Sequence, residues 1–160
     1  MTEPIDENSD GLSDGLQKLR QAALRDDPDG YLEDHWHTTS VGPEDEKWLI
    51  EKGLTSQSPD IQAFSALMLG GQPYMAGGIS DETAALLINL FEQSPHPMVK
   101  FRSAVALCNM YRSKDSLSDE QQKMFDTTNK FLEAAVAKTI GGTKNEQDTM
   151  AIVAEELLNR

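Results

Sequence analysis

The chain contains a single cysteine, Cys108, among 160 residues, so no internal disulfide can form. That usage suits a reducing compartment. Aromatic residues make up only 6% and the longest apolar runs are a few residues, far short of the about 20 needed to span a bilayer. The first residues, Met1-Thr2-Glu3-Pro4-Ile5-Asp6-Glu7, are acidic and lack the apolar core of a secretory signal. A cytoplasmic protein is expected, with no membrane partner. Basic residues are also scarce: 14 Lys and Arg face 27 Asp and Glu, a net charge of -13. Residues 1–46 hold 13 acids and 3 bases and therefore carry -10 of that total. The acidity belongs mainly to the N-terminal part, and residues 1–11 read as a disordered acidic leader.

What the chain does have is repetition. Ser58-Pro59-Asp60-Ile61 through Ser65-Ala66 to Leu69 returns 38 residues later as His96-Pro97-Met98-Val99 through Ser103-Ala104 to Leu107. A constant offset of about forty residues in helical text marks stacked helix pairs, each unable to bury its apolar face alone. No segment alternates with period two for long enough to be a strand.

Start and stop signals divide the chain. Ser13 heads a helix to about Arg25, with Leu12, Leu16, Leu19 and Ala23 in one stripe, broken by residues 26–30. Residues 31–41 read as irregular or a short helix. Pro43 suits a first helical position for residues 44–52, and Gly53 stops them. Pro59 opens a helix to Leu69. Residues 70–78, rich in glycine, connect it to a helix capped by Ser80 and running to Gln93. Pro97 begins a helix to Arg112. Ser118 and Gln121 form a capping box for a helix reaching about Ile140, where Gly141 and Gly142 follow; Thr143 and Glu146 form another for the last helix. In that helix Met150, Val153, Ala154, Leu157 and Leu158 share a face.

The text from Leu86 to Leu107 resembles a HEAT repeat. That family has an apolar first helix, a short turn with proline, and a second helix with small residues at fixed places, here Val99, Lys100, Ser103, Ala104, Ala106 and Leu107. Lys100 stands where the family prefers arginine. Ile61, Gln62, Ser65, Ala66, Met68 and Leu69 match one unit earlier. The resemblance implies an all-α, right-handed superhelical stack of about three HEAT-like helix pairs with an extra N-terminal helix. The expected domain covers 12–160: N-terminal helix and linker 12–42, repeat 1 at 43–71, connector 72–79, repeat 2 at 80–112 and repeat 3 at 118–160.

Catalytic and cofactor motifs do not survive inspection, and no cofactor is expected. Asp34-His35-Trp36-His37 is the most metal-like text. On a helix, His35 and His37 point about 200° apart; on an extended segment they share a side, but no spacing supplies the remaining zinc ligands. Trp36 is expected to dock that segment onto the repeats. Asp27-Pro28-Asp29-Gly30 imitates part of a calcium loop, yet Arg25 and Trp36 fall where its first and last ligands belong. Cys108 and His96 lie twelve residues apart on one helix, about 18 Å, too far to act as nucleophile and base. The glycines at 70, 71, 77 and 78 lack the strand and Lys-Ser/Thr of a phosphate loop. Lys100, Arg102, Arg112, Lys114, Lys123 and Lys130 are scattered through an acidic chain, which makes nucleic acid an unexpected partner.

The telling feature is that the helix over 97–112 is apolar on two sides. Val99, Ser103, Ala106, Leu107 and Met110 face one way, Phe101, Val105 and Cys108 the other. Such a helix must be covered all round. In the HEAT family second helices line the concave surface, so Ala63, Leu67, Phe101, Arg102 and Val105 are the expected partner-binding residues. The covering body is then residues 12–25, a second copy in a homodimer, or a client. The resulting functional expectation is a non-catalytic scaffold or adaptor for a protein or peptide. Two alternatives remain: an enzyme or accessory subunit of HEAT-like type, and an acidic inhibitor of a basic or nucleic-acid-binding partner.

Overall fold

The apolar stripes and caps become helices throughout a computed structural model, which describes residues 11–159 apart from Asp26 and Pro28. The acidic leader expected over 1–11 lies outside the described residues except for Gly11. Among the described residues there is no strand. α1 (Asp14–Leu24) buries Leu16 and Leu19. Ser13 precedes it, but its hydroxyl makes no cap; instead its N–H donates to Asp45 Oδ1 at 2.7 Å. Residues 31–41, read as irregular or a short helix, contain α2 (Tyr31–His35) followed by a 3-10 turn, Trp36–Thr38.

α3 (Pro43–Trp48) runs into a π-helical turn, Leu49–Gly53. Asp45 in its first turn also accepts from Gly42 N–H at 3.0 Å, so one buried carboxylate ties the start of α1 to the start of α3. α4 (Pro59–Gly70) is capped by Ser58, α5 (Pro73–Ala76) adds a short helix to the connector, and α6 (Asp81–Gln93) is capped by Ser80. α7 (Pro97–Arg112) is the most buried element. α8 (Asp119–Val136) and α9 (Lys144–Leu158) open on the two expected capping boxes.

One boundary moves. α8 ends at Val136, not near Ile140, because Lys138 takes a left-handed conformation at φ 59. Thr139 N–H donates to Ala134 O at 3.1 Å and Lys138 N–H to Ala135 O at 3.0 Å, the paired bonds of a Schellman close. Glycine normally fills that site. Here Lys138 fills it and sends Nζ to Asp148 on α9 at 2.7 Å.

α7 packs on α4, α6, α8 and α9. Ile61 and Val99, each the third residue of its helix after proline, are 4% and 1% exposed and lie in the same core. α4 and α7 touch almost backbone to backbone at Gly70, where a Cβ would stand 2.1 Å from Ala106 Cβ. Asn109 Nδ2 then reaches the last carbonyls of α4, donating to Gly70 O at 2.9 Å and Gly71 O at 3.2 Å. This side-chain amide satisfies acceptors that a helix C-terminus leaves open.

Gly70→Ala should therefore force α4 and α7 apart and destabilise the protein by about 1–3 kcal/mol in urea titration. Adding Ala106→Gly to that variant should recover part of the loss. Unchanged stability in Gly70→Ala would contradict the close approach.

Candidate functional site

The two apolar sides of α7 have separate fates. Val99, Ala106, Leu107 and Met110 enter the main core with α1, α4 and α6. Phe101, Val105 and Cys108 enter a second core with Leu132 and Ala135 of α8 and Met150, Ala154 and Leu157 of α9. Phe101 is 0% and Val105 2% exposed. The body that covers them is the chain's own C-terminal helix pair, whereas residues 12–25 pack on α4. Coverage comes from within, from the C-terminal helix pair rather than from residues 12–25. Arg112 closes this second core by donating from Nη1 to Leu157 O at 2.6 Å, near the C-terminal end of α9.

What stays open is a cleft of about 970 Å³ beside this core. Its floor is formed by Ala63, Phe64 and Leu67 of α4 with Met98, Val99 and Arg102 of α7. One wall comes from Ala23, Leu32 and Glu33, the other from the first turns of α9 around Glu146, Asp148 and Ile152. α4 and α7 lie side by side because of the Gly70 contact. Of the expected partner-binding residues, Ala63, Leu67 and Arg102 line this cleft, and Phe101 and Val105 lie beneath in the second core.

Sequence reasoning missed the walls. Ile152 is 69% exposed, the one large hydrophobic residue so placed among the described residues. Its signal was present in the sequence: it is apolar yet off the Met150–Val153–Leu157 stripe of α9.

The cleft carries five carboxylates, Asp27, Glu33, Asp60, Glu146 and Asp148, and one guanidinium, Arg102. Asp27 Oδ1 and Oδ2 accept from the N–H groups of Leu32 at 2.8 Å and Glu33 at 3.0 Å, which seats a carboxylate at the start of α2. The calcium-like text thus contains a helix-capping acid. Asp148 is held below the ordinary carboxylate range chiefly by its hydrogen bond from Lys138, with Lys144 nearby. Arg102 is half-buried, and burial lowers its pKa from the ordinary value while the Glu33 charge acts in the opposite sense.

The remaining candidates scatter. His35 and His37 are exposed, with Tyr31 beside His35 at 4.4 Å between ring centroids. Trp36 is half-buried over Gly71, where a Cβ would meet its ring at 2.8 Å. Among the described residues no group of three or more His, Cys, Asp or Glu side chains is placed to hold a metal ion. Cys108 is buried and its thiol contacts Asn129 Oδ1 at 3.7 Å. Lys100 caps Phe91 O and lies over the Phe91 and Phe131 rings, so it holds α6, α7 and α8 together rather than facing a ligand.

Two outcomes follow from the second core. Phe101→Ala should destabilise the fold by about 3–5 kcal/mol in urea titration, the range for emptying a large buried site; a loss below 1 kcal/mol would contradict the observed burial. Burial also raises the Cys108 pKa above its usual 9.0 and that of Tyr111 above 10.0. The unfolded chain therefore releases those protons first and binds fewer of them as pH rises. Stability should be constant in this respect below pH 8 and fall above about pH 9, and Cys108→Ala should remove the earlier part of that fall. The urea midpoint measured from pH 8 to pH 11 checks the slope.

No protein-family model, curated protein or solved structure matches the chain. Any function assigned to it rests on the cleft itself.

Proposed function

We propose that this protein is a non-catalytic binding module whose cleft between α1–α2 and α9 receives a segment of a protein partner. The observation that carries the reading is the form of the cleft: an apolar floor in line with Ala63 and Leu67, acidic walls, and Ile152 exposed at the rim. At about 970 Å³ it is at the upper end of small-molecule sites, and it is an open trough rather than an enclosed chamber. A peptide laid along such a floor buries the area that drives association, while charges at the edge select the partner and speed encounter. A cationic, amphipathic segment complements both features.

The same reading includes a HEAT-like arrangement of three helix pairs, 43–71, 80–112 and 118–160, with α4 and α7 as successive second helices. Support comes from the 38-residue offset and from Ile61 and Val99 at the same turn of α4 and α7. In such an arrangement the floor of the cleft is the inner surface of the stack.

Paired baits test the binding face. Ala63 is half-buried in the floor and Ala85 is exposed on α6. Wild type and Ala85→Arg should retain the same proteins from a lysate, and Ala63→Arg should lose them, with retention falling as salt is raised. If Ala63→Arg is folded by its thermal transition and retains the same set, the cleft is not the binding face.

A further inference from the structure

The cleft contains one group that its acidic walls do not explain. Arg102 presents five N–H donors, yet no hydrogen bond and no ion pair within 4.0 Å is formed by its guanidinium among the described residues. Its guanidinium carbon lies 5.7 Å from the centroid of the Phe101 ring. Glu33 is near enough to act on it electrostatically without pairing. The side chain lines the floor, half-buried beside Val99 and Met98. A planar fork of donors that is half-buried in the floor and bonded to no other described side chain or backbone group matches a carboxylate in two parallel hydrogen bonds.

Building on the binding role of the cleft, we propose that Arg102 anchors a side-chain carboxylate, Asp or Glu, of the bound segment, and that Lys or Arg residues flank this acid. The flanking charges follow from the walls. Asp27 and Glu33 stand on one side of Arg102 and Glu146 on the other, so an acid arriving alone would meet repulsion from both directions. An acid between two bases meets Arg102 at its centre and carboxylates at its edges. A multiply charged anion such as phosphate lacks that match. A side chain is favoured over a chain terminus because both walls are acidic, and a terminus has a flank on one side only. The combination is selective: a purely basic segment leaves the guanidinium unpaired and a purely acidic one is repelled.

The test uses three blocked peptides that differ only at the central residue between two lysines, acetyl-Leu-Lys-Glu-Lys-Leu-amide, acetyl-Leu-Lys-Gln-Lys-Leu-amide and acetyl-Leu-Lys-Lys-Lys-Leu-amide, titrated into the full chain to millimolar concentration. Nitrogen-proton NMR follows Arg102 Nε and the backbone amides of Ala63, Leu67 and Ile152. The Glu peptide should saturate these shifts and bind about tenfold more tightly than the Gln peptide. Arg102→Gln should remove that preference, and Arg102→Lys, which keeps the charge but not the fork, should keep only part of it. Equal binding of the Glu and Gln peptides to wild type overturns the anchor, and this comparison needs no variant to fold. A preference for the Lys peptide alone also overturns the anchor while leaving the cleft as a site for basic segments. No shift at the cleft with any peptide overturns both readings.

Discussion

The contact between Gly70 of α4 and Ala106 of α7 organises the molecule. Helices usually pack with 8–10 Å between axes because side chains intervene. Here a glycine meets an alanine, and the polypeptide backbones come together. That proximity lets Asn109 reach the two carbonyls at the end of α4, so a packing contact becomes a hydrogen-bonded one. It also fixes α4 and α7 as neighbours, which makes the strip where they meet, with Ala63, Met98 and Arg102 half-buried in it, the floor of a trough.

The second constraint is that α7 has no solvent face over most of its length. Removing Phe101 and Val105 from water stabilises the fold by about 1.5–3 kcal/mol each. The C-terminal pair supplies that cover, and Arg112 and Lys138 position it from two ends: one donates to a backbone carbonyl of α9, the other to Asp148. Once α9 is set against α7, its first turns rise beside the floor and become a wall. The cleft is thus a consequence of how the core was closed.

Charge then gives the trough its chemistry. The carboxylates at its walls arise from local needs: Asp27 and Glu146 satisfy amides at helix starts. Collected around one space, the same groups give an acidic rim to a cleft that Arg102 also lines. No single segment contains that pattern. Glu33, Arg102 and Glu146 are distant in the chain and belong to α2, α7 and α9.

Much of the fold was legible because its signals are local. Pro59 and Pro97 at first helical positions, Ser118 with Gln121, Thr143 with Glu146, and apolar spacings of three and four all act within one or two turns, so residue order alone determines them. The early end of α8 was not legible, since Lys138 carries no sign that it will adopt a left-handed conformation. The sequence by itself determined that α7 needed cover on two sides. Only tertiary structure decided that residues 119–158 would provide it, leaving Ala63, Leu67 and Arg102 beside an open cleft, because apolar burial has magnitude but no direction and cannot specify its partner from a stripe alone.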